Sequence, residues 1–358
     1  MPNLAGGGAE RVTANLVAAL VQQGCEVELV LVHGGGVNAT RIPPQVQQFV
    51  LGSSRTLLAA PALAKYLRQR RPAALLAVMD TAGATALVAR RLAGVATRVV
   101  IAIHSATRVQ ATAQVSRAER WLPRLLRPRF ARADAVVAVS QGLADELVTE
   151  APALRGRVHT IYNAVVTAEL VRLAGQPSSE PWAAPGGVPL VVAVGRLCAA
   201  KDFATLLQAF AIARQSRPLH LILYGQGELL PDLTALAAQL GIAAQVQFAG
   251  FSDNPWATVR QAAVFALSSE YEALPTALIE ALACGTPCVA TNCRFGPAEI
   301  LGGGRWGQLV APRDAAALAA AMLTAVAQPR DSAALIERAA AFGEAACAQA
   351  YLRLLLPS

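Results

Sequence analysis

Two glutamates, Glu272 and Glu280, lie eight positions apart in the apolar segment EALPTALIEALACGTP. Pro275 fits the first turn of a helix and Gly285 fits its stop, which predicts a helix running roughly from Pro275 to Cys284. Glu272 then lies just before the helix and Glu280 lies inside it. Both side chains can therefore point into one pocket.

A carboxylate inside this helix needs a partner, because a buried and unpaired carboxylate is very costly. The vicinal hydroxyl groups of a ribose would satisfy Glu280 through two hydrogen bonds. The alternative is an ordinary carboxylate on a helix surface. The flanking residues leave little polar surface for it, since they are Leu278, Ile279, Ala281 and Leu282.

Two cations, Arg196 and Lys201, follow the predicted strand PLVVAVG. Asp202 fits an N-cap, and ATLLQAF after it carries the apolar period of a helix. The cations thus lie beside a helix N-terminus, whose free amides favour anions, and the arrangement suits a diphosphate. Taken alone, both could equally be solvated loop cations, which is the usual state of exposed Lys and Arg.

Glycine turns follow two further predicted strands. Gly225 and Gly227 lie in YGQGE, and Gly296 with Pro297 precedes Glu299 at another helix start. Glycine backbone can approach a bound sugar or phosphate closely. Taken alone, each motif is better explained as a plain turn, with Glu299 an acidic residue that favours the N-terminal turn of a helix.

The elements that must hold these residues alternate along the whole chain, as short β-branched runs and alanine- and leucine-rich helical stretches. This alternation is the signature of parallel sheets covered by helices on both faces. The predicted strands cover residues 26–32, 74–79, 98–103, 135–140, 158–162, 189–195, 219–225, 245–248, 263–269, 287–291 and 307–310. The expected fold class is α/β, with two doubly wound domains whose ligand-binding edges face one another.

The beginning of the chain departs from this pattern. A doubly wound domain normally begins with an apolar strand, yet only MPNLA precedes the glycine turn and the helix that starts near Gly8. Either the chain is truncated or its start is misassigned. We therefore expect the first sheet to lack an interior strand, which would leave the loop at Gly7 and Gly8 without an upstream anchor.

Length and composition limit the classes of protein to which the chain could belong. The chain has 358 residues, enough for two domains with their own cores, and its six cysteines show no metal-ligand spacing. No apolar window approaches a membrane span and no signal peptide is apparent, so a cytoplasmic protein is expected. The basic excess lies in residues 1–180, where 20 Lys and Arg stand against 11 Asp and Glu.

Much of that excess falls in residues 108–132, where seven arginines alternate with apolar residues that include Trp121 and Phe130. Such a pattern is typical of a segment that lies on an anionic membrane surface. The alternative is a solvated helix whose apolar face packs on its own domain. Nucleic acid ranks well below a membrane as the partner, because no recognition motif accompanies the charge.

Two other enzyme classes fit the sequence poorly. A dinucleotide fingerprint would need a glycine or alanine where Arg11 stands, and a strand before Gly6. A serine hydrolase elbow in AVSQG would need glycine at Ala138. Neither a dehydrogenase nor a hydrolase is expected.

Several motifs stand together in a familiar order: GGAER (7–11), VGRLxxxKDF (194–203), YGxGE (224–228), FAGF (248–251), SSxYEALPTALIEALACGTPCVAT (268–291) and GPAEIL (296–301). Together they resemble the family 4 glycosyltransferases, which have the GT-B fold of two Rossmann-like domains facing a central cleft. The resemblance implies an N-terminal acceptor domain (1–175), a linker (176–188), a donor domain (189–335) and a last helix that crosses back to the N-terminal domain (336–358).

The resemblance also implies roles. Arg196 and Lys201 would neutralise the diphosphate of a UDP- or GDP-sugar, Glu280 would hold its ribose, and Glu272 would contact the donor sugar near the reacting carbon. With Glu272, His104 would be the second catalytic residue, facing the sugar. The other implied donor contacts are Gly7 and Gly8 to the phosphates, the backbone near Phe251 to the base, and Gly296 with Pro297. In the family's EGxP motif Ala273 replaces glycine here, which would reshape the sugar pocket.

The implied reaction retains the anomeric configuration, by double displacement or by attack on the same face. Fixed cations can stabilise the departing diphosphate, and no Asp-x-Asp occurs in the sequence, so neither a metal nor another cofactor is expected. The acceptor would be a glycan or a lipid-linked glycan of cell-surface polysaccharide synthesis. The alternatives are an inactive or fragmentary sugar-nucleotide-binding protein and a GT-B epimerase.

Overall fold

The computed structural model describes residues 1–4, 7–105 and 117–357, with the backbone alone over 117–121. The chain divides into two compact units. The first is Met1–Val165 with Phe342–Ser358, and the second is Val166–Ala341. Residues 106–116, which overlap the start of the predicted membrane segment and include Arg108, and the side chains of Arg117, Arg120 and Trp121 lie outside the described part.

Strands and helices alternate in both units. The strands are β1 (Glu28–Leu31), β2 (Gln47–Val50), β3 (Ala74–Val78), β4 (Arg98–Ile103), β5 (Ala135–Ala138), β6 (Val158–Thr160), β7 (Leu190–Val194), β8 (His220–Tyr224), β9 (Val246–Gly250), β10 (Val264–Leu267), β11 (Cys288–Thr291) and β12 (Gln308–Val310). The α-helices are α1 (Gly8–Gln22), α2 (Ala60–Arg70), α3 (Asp80–Ala93), α4 (Arg117–Leu126), α5 (Gln141–Glu150), α6 (Ala168–Ala174), α7 (Phe203–Arg214), α8 (Leu230–Gln239), α9 (Trp256–Gln261), α10 (Thr276–Ala283), α11 (Pro297–Ile300), α12 (Ala315–Ala327), α13 (Ser332–Ala340) and α14 (Glu344–Leu355).

All of the predicted strands are confirmed within a few residues, and the α/β class with parallel sheets is confirmed. The sequence did not predict β2. Its residues Gln47, Gln48 and Val50 are exposed, so the strand has no apolar alternation to reveal it.

The first unit has two parallel sheets, β1-β2 and β3-β4-β5-β6. In the described part of the chain, β1 and β3 belong to different sheets. Residues 1–4 nevertheless anchor the chain before α1. Asn38 donates its backbone N–H to the carbonyl of Leu4 at 3.2 Å, and the Leu4 side chain is fully buried.

The second unit has one parallel sheet in the order β12-β11-β10-β7-β8-β9. Its first strand in the chain, β7, lies in the middle, and the strand order reverses between β7 and β10. This is the doubly wound arrangement. One face is covered by α7 and α12, whose buried residues pack on the sheet side chains; they include Leu206, Phe210, Leu318 and Met322.

The unit boundaries differ from the predicted domain boundaries by several residues. Helix α6 belongs to the second unit because it packs on α9. Asn254, just before α9, donates to the carbonyl of Leu173 at 3.0 Å. The predicted linker also packs in this unit, since Glu180 accepts hydrogen bonds from Tyr224 and Gln247. Helix α14 packs on α1 and β4 of the first unit.

Among the described helices, none has both the length and the apolar character needed to cross a membrane.

Candidate functional site

The turn after β7 carries the first candidate residues. Asp202 accepts from the backbone N–H of Thr205 at 3.3 Å and from its hydroxyl at 2.6 Å, which confirms the predicted N-cap of α7. Its backbone adopts a φ of 44°, the left-handed region, and burial raises the pKa of its carboxyl. The cap therefore fixes the direction in which Lys201 enters the site.

The glycines of YGQGE let the turn after β8 pack directly on the turn after β7. A Cβ at Gly225 would lie 1.9 Å from the carbonyl oxygen of Gly195, and one at Gly227 would lie 2.3 Å from that of Leu197. No side chain fits at such distances, so these glycines have a structural role in supporting Arg196 and its neighbours.

The loop after β10 contacts the same turn. Lys201 Nζ lies 2.5 Å from Glu272 Oε1, and the hydroxyl of Ser269 donates to that same oxygen at 2.7 Å. Ser268 donates to the carbonyl of Lys201 at 2.8 Å. These bonds hold one cation and one carboxylate of the predicted set in direct contact.

Glu280 lies on α10, which confirms the predicted helix between Pro275 and Gly285. Its carboxylate is buried, and Oε2 accepts from the indole Nε1 of Trp256 at 2.8 Å. No local sequence pattern predicted this partner, because Trp256 lies on another helix, α9. The bond orients Glu280 and supplies part of the stabilisation that a buried carboxylate requires.

The loop after β11 packs against the loop after β10. Gly296 has a φ of 92°, and a Cβ there would lie 2.5 Å from the Cδ of Pro275. Pro297 begins the short helix α11 directly after it. Nearby Cys293 is buried, and burial together with the charge of Glu272 raises the pKa of its thiol to about 12, so the thiol stays protonated.

The structure therefore brings most of the predicted donor residues of this unit to one edge of the sheet. Lys201, Glu272 and Gly296 follow β7, β10 and β11, at the carboxyl ends where the strand order reverses. Arg196 lies in the same turn as Lys201 and is exposed. Phe251 is 68% exposed and follows β9, which is separated from β7 by β8.

The remaining candidates belong to the first unit. Gly7 caps α1 without a side chain and Gly8 begins the helix, both exposed. His104 directly follows β4 and is partly buried, and its Nδ1 has no hydrogen-bond partner among the described residues. Burial lowers the pKa of His104 to about 4, so the imidazole is neutral at pH 7.

The prediction that residues 108–132 lie on a membrane surface is wrong for Arg127 and Phe130. Arg127 is not a surface cation, because its side chain is fully buried and bonded to Asp80 at 2.9 Å and Glu150 at 2.7 Å. Phe130 is also fully buried. Both residues serve the packing of the first unit, whereas Arg124, Arg129 and Arg132 remain exposed.

Within the described ranges, no three side chains of His, Cys, Asp or Glu come together as a group that could hold a metal ion.

Known glycosyltransferases match this chain in both sequence and fold. The family model for glycosyl transferases group 1 matches residues 176–342, and that for Glycosyltransferase Family 4 matches residues 6–169. Solved structures of the GT-B glycosyltransferase class share the fold. HepE from Anabaena, in complex with UDP-glucose, has a TM-score of 0.79 at 20% identity, covering 99% of this chain and 97% of that one. The chain belongs to glycosyltransferase family 4.

Two curated relatives cover part of the chain. A Campylobacter jejuni N-acetylgalactosaminyltransferase, named for an undecaprenol diphosphate acceptor, is 30% identical over 51% of this chain and 47% of its own length. The Rhizobium meliloti lipopolysaccharide core glycosyltransferase LpsE is 34% identical over 48% and 51%. The chain thus spans about half the length of the curated relatives it matches.

Proposed function

We propose that this chain is a retaining glycosyltransferase that moves a sugar from a UDP- or GDP-sugar to a glycan or lipid-linked acceptor in cell-surface polysaccharide synthesis. The observation that carries this proposal is the contact of Lys201 with Glu272 at the reversal point of the second sheet. Nucleotides bind doubly wound sheets at that point. The names of the Campylobacter and Rhizobium relatives support the reaction and the acceptor class.

The residues at that edge contact different parts of the donor. Arg196 and Lys201 offer N–H donors to the diphosphate, whose negative charge grows as the bond to the sugar breaks. Glu280, held by Trp256, accepts from the ribose hydroxyls. The backbone near Phe251 contacts the base, and Gly296 and Pro297 lie against the donor.

Glu272 lies against the reacting sugar. Lys201 and Ser269 both donate to its Oε1, so the carboxylate is fixed before the donor arrives. A fixed carboxylate stabilises the positive charge that develops at the anomeric carbon. In the first unit, Gly7 and Gly8 contact the donor phosphates, and neutral His104 donates one hydrogen bond to the sugar.

A panel of UDP- and GDP-sugars tests the reaction through nucleotide release, with EDTA present and absent. Release with one donor, unchanged by EDTA, supports a transferase that needs no metal. A donor that raises the thermal midpoint without any release supports the second candidate, a sugar-nucleotide-binding protein. That candidate is favoured by the first unit, where the described residues form two separate sheets, β1-β2 and β3-β4-β5-β6. An altered nucleotide sugar identifies an epimerase.

We also propose that the chain works at the cytoplasmic face of a membrane, through the exposed arginines in the later part of the predicted segment. Exposed Arg124, Arg129 and Arg132 lie close in sequence to Leu125, which is 61% exposed. Cations beside apolar side chains bind anionic lipid surfaces. Changing the three arginines to glutamine should weaken binding to anionic vesicles and leave nucleotide release intact. Equal vesicle binding by both proteins would reject this surface.

A further inference from the structure

Trp256 lies between two parts of the proposed donor site. It is the first residue of α9 and directly follows the loop 251–255, which begins at Phe251. Its indole Nε1 donates to Oε2 of Glu280 on α10 at 2.8 Å, and both side chains are buried. A hydrogen bond to an ionised carboxylate is roughly twice as strong as one between neutral groups. The indole therefore orients the carboxylate that the proposed function assigns to the ribose.

The backbone of Trp256 is fixed to the same helix. The thiol of Cys284, the residue after α10, donates to the carbonyl of Trp256 at 3.7 Å. Burial and then the charge of Glu280 raise the pKa of this thiol to about 12, so it keeps the proton that it donates. The hydroxyl of Thr286 donates to the carbonyl of Val259 at 2.7 Å. Together with the indole bond, these contacts hold α9 against the end of α10.

Asn254 fixes the loop on the other side of Trp256. Its Oδ1 accepts from the backbone N–H of Ala257 at 3.3 Å, and its Nδ2 donates to the carbonyl of Leu173 at 3.0 Å. The backbone N–H of Asn254 also donates to the hydroxyl of Ser252 at 3.2 Å. These bonds connect the loop to the start of α9. A shift of the loop would therefore also move the indole and the carboxylate bonded to it.

We propose that Trp256 is a positioning residue that joins recognition of the base to recognition of the ribose. Its backbone ends the loop that contacts the base, and its indole sets the orientation of Glu280 for the ribose hydroxyls. This inference rests on the proposed function, which assigns those two contacts. It predicts that the preference for a ribonucleotide over a 2′-deoxyribonucleotide depends on the indole N–H. Replacing a residue with a purely structural role would instead weaken the binding of both nucleotides by the same factor.

The test measures binding of UDP, GDP and their 2′-deoxy forms to the full chain by titration calorimetry. For the nucleotide that the parent chain binds, we expect the ribose form to bind about tenfold or more tightly than the deoxy form, which loses a hydrogen bond to a carboxylate. Trp256→Phe keeps an aromatic ring, removes the N–H and should reduce this preference to about threefold or less. The matched control, Trp182→Phe, removes an indole that stacks on His220 at the start of β8 and should keep the parent's preference.

A second variant, Asn254→Ala, tests the connection to the loop without changing the indole or Glu280. We expect it to lower the discrimination between UDP and GDP and the ribose preference together. A Trp256→Phe variant that retains the parent's ribose preference would overturn the inference, and so would an Asn254→Ala variant that leaves this preference unchanged. A parent chain that binds a nucleotide without any ribose preference would overturn it as well, while the donor site itself stands. Binding of neither UDP nor GDP by the parent chain would contradict the proposed function, and this inference with it.

Discussion

At the scale of single residues, the candidate site depends on the ion pair between Lys201 and Glu272. The pair is partly exposed, so its net effect on folding stability is small. Its importance is positional, because the ammonium keeps further N–H donors for an anion while one N–H orients the carboxylate. Ser269 holds the same carboxylate oxygen from its own loop.

Replacing Lys201 by glutamine should weaken binding of the nucleotide sugar by about 10- to 100-fold, because a hydrogen bond to a charged group contributes about 1.5–3 kcal/mol. Titration calorimetry with the donor selected from the panel measures the change. The matched control is Arg313→Gln, which removes an exposed cation paired with Glu270, a carboxylate two residues before Glu272. Equal losses in both variants would mean that Lys201 acts only through net charge.

At the scale of elements, the loop after β4 is fixed by a buried ion cluster. Arg127 bonds Asp80 at the start of α3, Glu150 at the end of α5, and the carbonyl of Ser105 at 2.9 Å. Ser105 is the residue after His104. The arginine therefore positions His104 through the backbone, without being part of the proposed donor contacts.

Replacing Arg127 by methionine should lower the free energy of unfolding by about 3–5 kcal/mol, because Asp80 is left buried without its cation. Urea denaturation measures the loss. Arg129→Met is the matched control, since Arg129 lies on the same short segment with an exposed side chain and should change stability little. A small effect of both substitutions would show that Asp80 readily finds another partner or becomes protonated.

Features that depend on a local sequence pattern could be predicted, and contacts between distant residues could not. Strand runs, the N-cap at Asp202 and the helix between Pro275 and Gly285 could be predicted because each is a local pattern. The bond between Trp256 and Glu280 could not, since it joins two helices, 24 residues apart. Arg127 was misjudged for the same reason: a cation in an arginine-rich segment looks exposed until its distant carboxylates are known.

At the scale of the whole molecule, stability should fall on acidification. Burial lowers the pKa of the Met1 amine from 8.0 to about 6 and that of His104 from 6.5 to about 4, and burial near Arg214 lowers that of His220. Below the unfolded pKa of each group, the unfolded chain binds more protons than the folded chain. The free energy of unfolding therefore decreases as the pH falls from about 8 to about 4.

The contribution of His104 to this pH dependence can be measured separately. The variant His104→Gln should lose less stability than the parent chain between pH 6.5 and about 4, the window set by the unfolded and folded pKa. Urea denaturation across that window measures both slopes, with His159→Gln, at an exposed histidine, as the matched control. Parallel slopes for His104→Gln and the parent would mean that His104 is already protonated in the folded chain.

The proposed function depends on a donor site at the reversal point of the second sheet. The decisive measurement is hydrogen exchange of the full chain, with and without a saturating UDP- or GDP-sugar. The predicted result is slower exchange in the three loops that follow β7, β10 and β11, at residues 195–202, 268–275 and 292–299. Protection confined to other segments, with these three loops unchanged under saturation, would contradict the assignment.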